Sequence, residues 1–384
     1  MKIAFFVGVL VIQALSAFLL IKGLKMPARW VPWIIVVFVI FNLPIPYLMW
    51  LQSGARQPPL WAAALIVRPV YAWQFNWVAF LLFIAPVIVG ARLLVLATGW
   101  ETVITVLRWA VIAFIGGWAV LAVYGLADTL RLPVAERVEV TLPGLPPEED
   151  GLKVVLLTDD HVAWWNAKEE FRRIAAVAEE FGPDLLLITG DMVDHHPDYV
   201  YAYADCLKDL QPRLGRYAII GNHDVYTGRE AVARRMEERG FRMLRNEWTT
   251  LDDKGSRLVL AGLDDSGRGW TGGDPATQKL PEVMDGCPEE RPTILMIHRP
   301  TRFEDFKGLP IDLVLAGHTH GGQLAFPFGG PGLAHLTFAN PGGMYRSGDL
   351  SQYVSRGSGT VGWCYRLFCP KEVTFITLRS PEAD

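Results

Sequence analysis

Hydrophobic residues follow two different patterns along the 384-residue chain. In the first third they form long runs, each near the ~20 residues that a helix needs to cross a hydrocarbon core of about 30 Å. These runs predict transmembrane helices at residues 3–21, 30–50, 73–91 and 109–127. Tryptophans near the run ends resemble the aromatic belts of a bilayer. A count of three or five helices is the alternative to four.

The first run, which follows Lys2, is also compatible with a cleaved signal peptide. A signal peptide ends in a small-residue cleavage site and is followed by a polar mature start. The sequence has no such site before the second apolar run begins. This favours an uncleaved membrane span.

Beyond residue 131 the apolar runs become short and alternate with helical patterns. Residues 137–142 alternate between apolar and polar as a strand does, and a turn-rich segment follows to residue 150. Helical spacing then predicts helices at 167–181, 199–210 and 229–239. We therefore divide the chain into a transmembrane region at 1–131, a linker with the first strand at 132–150, and an α/β domain at 151–384.

Five of the short apolar runs in this second part end at residues that can bind a metal ion. Such residues lie at the carboxyl ends of strands, where ligands bind in open α/β sheets. They are Asp159, His161, Asp191, Asn222, His223, His298, His318 and His320. Five such ends in series predict a metal site.

The donors in this set are oxygen and imidazole, without any thiolate. Structural zinc sites usually contain cysteine and close at four ligands, so this set is too large for one. Eight donors fit two divalent ions that share a bridging carboxylate, roughly 3.5–4 Å apart, as in two-metal hydrolases. The sequence therefore predicts a dinuclear centre.

The motif order D-x-H, G-D, G-N-H-D, H and G-H-x-H resembles the calcineurin-like metallophosphoesterase superfamily over residues 134–379. The segment Gly317-His318-Thr319-His320-Gly321-Gly322-Gln323 is similar to its membrane-associated bacterial branch. The resemblance implies a four-layer α/β/β/α sandwich. Asp160 departs from the pattern, which usually has an apolar residue there; it either alters metal preference or points away from the metals.

The resemblance also implies a role for each candidate residue. The first ion would be held by Asp159, His161 and His320, the second by Asn222, His298 and His318, and Asp191 would bridge the two. The ions would be divalent or trivalent, of Mn, Fe or Zn, and a hydroxide between them would attack phosphorus. His223 would be a general acid or a phosphate-contacting cation, and the adjacent Asp224 would orient its ring and raise its pKa.

These features predict a membrane-anchored phosphohydrolase that cleaves a phosphoester or a pyrophosphate. Some relatives hydrolyse the pyrophosphate of a UDP-linked acylated glucosamine, so a lipid-linked substrate of this kind is one expectation. The alternative function is a sensor or scaffold that binds a phosphorylated ligand without turnover. Transport is disfavoured because acidic and histidine side chains are lacking in the spans, where such residues usually mark a pathway.

Charge is divided unevenly between the two parts. Residues 1–131 contain nine Lys or Arg and two acids, a net charge of +7. Because the whole chain has a net charge of −4, residues 132–384 carry a net charge of −11. A domain this acidic would repel a polyanion, and we expect no nucleic acid partner. We expect a multi-pass protein of the bacterial inner membrane. The positive-inside rule does not assign the side of the catalytic domain, because both sets of loops are equally basic.

The sequence allows more than one interpretation for several residues. Cys364 and Cys369 either form a disulfide or are buried thiols. Asp194 either supports the metal ligands or is a capping residue at the protein surface. Trp164 and Trp165 line a substrate groove, enter the membrane interface or pack in the core. Arg299 and Arg346 either contact phosphate or are simply exposed. The histidines outside the motifs are expected on solvent-exposed loops: His195, His196 and His335.

Overall fold

The computed structural model describes residues 2–269, 273–362 and 364–381. Its helices are α1 (Lys2–Phe18), α2 (Val31–Asn42), α3 (Ile45–Ser53), α4 (Leu60–Ala62), α5 (Arg68–Thr98), α6 (Thr102–Thr129), α7 (Lys168–Glu180), α8 (Tyr199–Cys206), α9 (Asn222–Glu237) and α10 (Leu280–Val283). Its strands are β1 (Val134–Thr141), β2 (Lys153–Leu157), β3 (Leu185–Ile188), β4 (Arg216–Ala218), β5 (Arg242–Met243), β6 (Glu247–Thr250), β7 (Val259–Gly262), β8 (Thr293–Met296), β9 (Leu313–Ala316), β10 (Gly343–Ser347), β11 (Leu350–Val354) and β12 (Glu372–Arg379).

The N-terminal helical region, residues 2–129, contains three helical segments long and apolar enough to cross a membrane. They are Ala28–Ser53, Leu60–Thr98 and Thr102–Thr129. The first predicted span is a shorter apolar helix, Val7–Gly23, so a fourth crossing stays a prediction. The second predicted span is not one straight helix. Pro44 lies at the junction of α2 and α3, where its ring excludes a regular helical hydrogen bond.

Polar side chains connect the helices inside this apolar region. Asn42 Nδ2 donates to Gln13 Oε1 at 2.6 Å, and Trp73 Nε1 donates to the same oxygen at 3.2 Å. Gln13 also donates from Nε2 to Gln74 Oε1. The four residues come from α1, α2 and α5. In a bilayer, such hydrogen bonds hold helices together because lipid offers no competing partner.

Among the described residues after α6, the strands form two six-stranded sheets. The strand order is β1-β12-β2-β3-β4-β5 in the first sheet and β10-β11-β9-β8-β7-β6 in the second. Strands β2, β3, β4 and β5 run parallel in the first sheet, and β7, β8, β9 and β11 do so in the second. The short apolar runs of the sequence are these parallel strands. Because both of their faces are covered, they show continuous rather than alternating hydrophobicity.

Successive residues of one strand belong to different cores. Val154 and Leu156 of β2 face the second sheet, and Val155 and Leu157 pack with α7 and α8. On the second sheet, Val259 and Leu295 pack with α10 on the outer face. The layers are thus helix, sheet, sheet and helix, which confirms the predicted sandwich. The predicted helices are present, although Tyr199–Cys206 is shorter than expected and α9 begins earlier, at Asn222.

The N-terminal helical region packs directly on the α/β domain. Tyr71 of α5 lies with its ring centroid 5.0 Å from Trp164 and 5.6 Å from Trp165, and both tryptophans are buried. Core packing is therefore the role of this pair, rather than a substrate groove or the membrane interface. Beside it, Arg68 Nη2 is 2.7 Å from Glu170 Oε2, and both side chains are buried.

The buried ion pair predicts a large loss of stability when one partner is removed. Arg68→Met should lower the free energy of unfolding by about 3 kcal/mol, because the Glu170 carboxylate stays buried without its main counterion. Thermal unfolding in detergent measures this loss. The control is Arg172→Met, which removes an exposed pair with Glu169 and should cost about 0.5 kcal/mol or less. Equal effects of the two substitutions would contradict the prediction.

Candidate metal centre

Neighbouring parallel strands deliver the candidate ligands to one place. Asp159 and His161 follow β2, Asp191 follows β3, and Asn222 begins the helix after β4. From the second sheet, His298 follows β8. His318 and His320 follow β9, the neighbour of β8. Because these strands are parallel neighbours within each sheet, their carboxyl ends lie side by side, and the two sheets face each other across the site.

Most of these ligand residues have a left-handed backbone. The φ angles of Asp159, His161, Asp191, His318 and His320 lie between 48° and 69°. This conformation is uncommon for residues with a side chain and costs of order 1–3 kcal/mol each. It turns the chain sharply after each strand, so the side chain points into the site rather than along the sheet. Such strain persists only where the surroundings enforce it, and it clusters at functional sites.

Glycines beside the ligands allow a close approach of backbone and carboxylate. A Cβ atom on Gly317 would lie 2.2 Å from Asp159 Oδ2, and one on Gly221 would lie 2.3 Å from Asp191 Oδ1. Neither position has room for any side chain. The glycines of the G-N-H-D and G-H-x-H motifs are therefore required by packing against the ligand carboxylates.

Asp159, His161 and His320 form the first ligand group. His161 Nε2 lies 2.9 Å from His320 Nε2 and 3.9 Å from Asp159 Oδ1, and His320 Nε2 lies 3.3 Å from Asp159 Oδ1. Atoms that bind one ion at ~2.1 Å are at most about 4.2 Å apart, and all three distances are shorter than this, so the three atoms can share one ion. Asp159 Oδ1 is buried and has no hydrogen-bond partner among the described residues. A bound cation would satisfy it.

The second ligand group contains Asp191, Asn222, His298 and His318. Its centre is His298 Nε2, which lies 3.1 Å from Asp191 Oδ2, 3.0 Å from Asn222 Oδ1 and 3.2 Å from His318 Nδ1. Asp191 Oδ2 is also 3.7 Å from His161 Nε2 of the first group. One carboxylate oxygen therefore faces both groups, which is the position of a bridging ligand.

Hydrogen bonds fix the orientation of two ligand imidazoles. His298 Nδ1 is 2.8 Å from the carbonyl oxygen of Thr189, and His161 Nδ1 is 3.0 Å from Asp194 Oδ2. Each acceptor places the ring proton on Nδ1 and leaves the lone pair of Nε2 directed into the site. Partners of this kind usually accompany metal-binding histidines.

Burial and charge adjust the protonation of the ligands. Burial lowers the pKa of His318 to about 3 and that of His320 to about 4, so both rings are neutral at neutral pH. Burial alone would raise the pKa of Asp159, but the nearby His320 outweighs it and holds that pKa well below the usual range. Burial would lower the pKa of His298, but Asp191 raises it to about 10, so this ring would have to give up its proton when a metal binds. Neutral imidazole and ionised carboxylate are the forms that bind metals.

His223 has a different carboxylate partner from the one expected. Its Nδ1 contacts Asp194 Oδ1, while Asp224 accepts hydrogen bonds from the backbone N–H groups of Gly221 and Val193, at 3.0 and 3.2 Å. The prediction that Asp224 orients His223 is therefore wrong, because the first turn of α9 directs that carboxylate towards backbone donors. Burial would lower the pKa of His223, but Asp194 and Asp191 raise it to about 10.

Asp194 is the functional residue that sequence reasoning left undecided. It is buried, with one oxygen towards His161 and the other towards His223. The available signal was its position three residues after the candidate ligand Asp191, in the segment Gly190-Asp191-Met192-Val193-Asp194. A second residue, Arg366, was missed entirely. It is fully buried and donates from Nη1 to the backbone oxygen of His320 at 3.3 Å.

The remaining candidates are outside the ligand groups. Asp160 points away from the ligands, towards Tyr203 and Ser358. Arg299 is buried and paired with Asp265, and Arg346 is exposed on β10. The four cysteines are free thiols, so the bridge between Cys364 and Cys369 is absent. His195 and His335 are exposed as expected, and His196 is half-buried.

Two ligand groups that share one carboxylate define the class of this protein as a dinuclear metal-dependent hydrolase of the α/β/β/α type. The donor set fits metal ions, because the candidate His and Asp ligand atoms of each group lie within 4.8 Å of one another and Asp159 Oδ1 has no hydrogen-bond partner among the described residues. The clusters and the fold support two divalent ions.

The chain is similar to several known proteins. The family model "calcineurin-like phosphoesterase" matches residues 152–322. The chain is 34% identical over 268 residues to a transmembrane protein with metallophosphoesterase domain from Danio rerio, covering 67% of this chain and 60% of the relative. It is 31% identical to the uncharacterized metallophosphoesterase YkuE of Bacillus subtilis, covering 67% of this chain and 90% of that protein. A dimetal phosphatase structure from Danio rerio covers 60% of this chain and 93% of its own, with 10% identity and a TM-score of 0.38.

The chain therefore belongs to the calcineurin-like metallophosphoesterase family, whose members are hydrolases. The resemblance read from the motif order is confirmed. The chain spans 60% of the length of the Danio rerio relative.

The close contact at Gly317 predicts loss of metal in Gly317→Ala. The new methyl group would displace the Asp159 carboxylate or separate the two sheets, at a cost of about 1–3 kcal/mol. We expect most of the bound metal to be lost, as measured by elemental analysis of purified protein. The control is Gly116→Ala in α6, where a Cβ atom meets nothing within 4 Å. Unchanged metal content in Gly317→Ala would refute the assigned packing.

Proposed function

We propose that this chain is a membrane-anchored phosphohydrolase that cleaves a phosphoester or a pyrophosphate at its dinuclear centre. The observation that carries the proposal is the position of Asp191 Oδ2, 3.1 Å from His298 Nε2 and 3.7 Å from His161 Nε2. A carboxylate between two histidine-containing groups is suited to hold two cations close together. Two ions of this kind, when bound, lower the pKa of a bound water molecule and neutralise negative charge on the phosphate oxygens.

The ligands divide into two sets around the shared carboxylate. We assign Asp159, His161 and His320 to one ion and Asn222, His298 and His318 to the other. Asn222 contributes a neutral oxygen, so the site keeps positive charge for a phosphate. Their buried, hydrogen-bonded rings and carboxylates need little rearrangement during the reaction, and this preorganisation favours charge development in the transition state.

His223 is the residue suited to donate a proton to the leaving group. Its ring is the less buried partner of His161, with centroids 4.7 Å apart, so it borders the centre without belonging to either ligand group. Contact with Asp194 and the charge of Asp191 keep it protonated at neutral pH. A cationic imidazole there would contact a phosphate oxygen or protonate the departing alkoxide.

We assign the substrate to the membrane. Three long apolar helical segments for a single catalytic domain support a multi-pass membrane anchor, which we assign to a bacterial inner membrane. The packing of Tyr71 on the tryptophans next to His161 brings the centre close to that anchor. A lipid-linked phosphoester or pyrophosphate, of which a UDP-linked acylated glucosamine is one example, suits an enzyme in this position.

Turnover should depend on both the metal and the bridging carboxylate. Detergent-purified protein with Mn²⁺ should hydrolyse an aryl phosphodiester, and a chelator should abolish the reaction. Asp191→Asn should reduce kcat by about 100-fold or more, since the shared charge is lost. Release of nitrophenolate measures the rate. The control is Asp253→Asn, which changes an exposed acid and should keep full activity.

Two outcomes would contradict this function. Folded protein without bound metal would exclude the assigned centre. Protein that retains two ions per chain yet hydrolyses no phosphoester above the Asp191→Asn background would support the sensor or scaffold instead.

The pH dependence tests the role of His223. Asp194→Asn removes the first of the two carboxylates that raise the pKa of His223, so the ring should lose its proton at lower pH than in the wild type. Because the general acid must carry that proton, the alkaline fall of kcat should move to lower pH. The measurement is a kcat profile across neutral and alkaline pH, in protein with wild-type metal content. An unchanged alkaline fall would exclude His223 as the acid.

A further inference from the structure

An uncharged loop forms one wall of the candidate metal centre. Residues 323–338, the apolar loop, contain no Asp, Glu, Lys or Arg, in a part of the chain that carries a net charge of −11. The loop starts three residues after His320, and the ring of Phe338 at its end lies 5.6 Å from the ring of His318. Both ends of the loop are therefore fixed at the centre.

Large hydrophobic side chains project from this loop. Phe328 is 104% exposed, Leu336 81% and Phe326 69%. Among the described residues after position 131, seven large hydrophobic side chains are prominently exposed, and four of them belong to the loop. Two others, Leu132 and Val134, directly follow α6. A concentration of exposed apolar surface usually marks a contact with a membrane or a protein.

The loop is attached to the membrane end of the domain. The Ala325 N–H donates to the Leu367 carbonyl at 2.9 Å. Next to it, the ring of Phe368 lies 5.3 Å from that of Tyr124, and the Arg366 N–H donates to Thr129 Oγ1 at 2.9 Å. Tyr124 and Thr129 belong to the last turns of α6, a helix long enough to cross a membrane. The exposed side chains therefore lie beside the point where that helix ends.

The tip of the loop has a defined shape. The Phe326 N–H donates to the Pro331 carbonyl at 3.1 Å, and Ala325 pairs with Gly332. Gly332 packs so tightly that a Cβ atom would lie 2.0 Å from the Gly321 carbonyl oxygen. Backbone contacts therefore hold Phe328 outward. Because the loop is already ordered, burial of Phe328 against a binding partner would cost little conformational entropy.

We propose that the apolar loop inserts Phe326, Phe328 and Leu336 into the interfacial layer of the same bilayer that α6 crosses. The bilayer is the occupant because the loop is attached beside the end of α6, where Leu132 and Val134 are exposed as well. The absence of charged residues across the whole loop suits lipid better than the polar rim of a protein interface. If the proposed hydrolysis is also correct, the cleft opens at the headgroup level, where a lipid phosphoester is within reach.

Depth-dependent quenching tests this proposal without any measurement of hydrolysis. Full-length Phe328→Cys protein is labelled with a nitrobenzoxadiazole fluorophore and placed, one copy per disc, in nanodiscs with or without brominated phosphatidylcholine. We expect the label to show blue-shifted emission in the discs without bromine. In the discs with brominated phosphatidylcholine, most of the emission intensity should be lost. Wild-type protein labelled in parallel reports any signal from the native cysteines.

The matched control is Asp253→Cys, labelled in the same way. Asp253 is exposed in a turn beside Arg257, whose N–H donates to Glu149 Oε1 at 2.7 Å. Glu149 follows the end of β1 that is remote from α6, so this label should remain unquenched. Equal, weak quenching at both positions would overturn the proposal. A blue shift at position 328 without quenching by brominated lipid would also overturn it, because protein rather than lipid would then cover the loop.

Discussion

The Asp159 carboxylate joins the two sheets, and the geometry of the centre depends on this contact. Its Oδ2 accepts hydrogen bonds from the backbone N–H of His318 at 2.8 Å and from Thr158 Oγ1 at 2.9 Å. Asp159 follows a strand of the first sheet, whereas His318 follows a strand of the second. The same side chain turns Oδ1 towards two histidines. One carboxylate thus contacts both sheets and presents a candidate ligand oxygen to the centre.

This contact explains why the chain tolerates unfavourable backbone at the centre. Asp191 repeats the arrangement, since its Oδ1 accepts the His223 N–H at 2.7 Å while Oδ2 faces the ligands. Both carboxylates need a left-handed turn after their strands and a neighbouring glycine without a side chain. The strain of each turn is of order 1–3 kcal/mol, comparable with the charge-assisted hydrogen bonds that it permits. A bound cation would stabilise the arrangement further, because it lowers the repulsion between the carboxylates.

The sequence predicts which residues converge at the candidate centre better than it predicts the contacts that support them. The apolar runs identify strands, and a strand's carboxyl end is where ligands gather, so Asp191 and His298 are predictable from local pattern alone. The position of Asp194 three residues after Asp191 hints at a role, but its contacts with His161 and His223, like those of Arg366 with His320 and Thr129, join segments that are distant in sequence, and no local pattern predicts such contacts. The error at Asp224 has the same origin. Adjacency in sequence suggested a contact with His223, but the first turn of α9 points successive side chains in different directions. The break between α2 and α3 arises from Pro44, and the hydropathy pattern does not predict it because hydropathy ignores the backbone effect of proline.

The helical region does more than tether the domain, because it packs against both ligand loops of the first metal group. Trp164 and Trp165, which follow His161, are buried against Tyr71 of α5. On the other side, Arg366 contacts the backbone oxygen of His320 while its own N–H bonds to Thr129 of α6. His161 and His320 lie 2.9 Å apart, so the helical region contacts both of the loops that meet there. Two helices of the region therefore help to set the ligand geometry, and separating the domain from them would remove packing on which the centre depends.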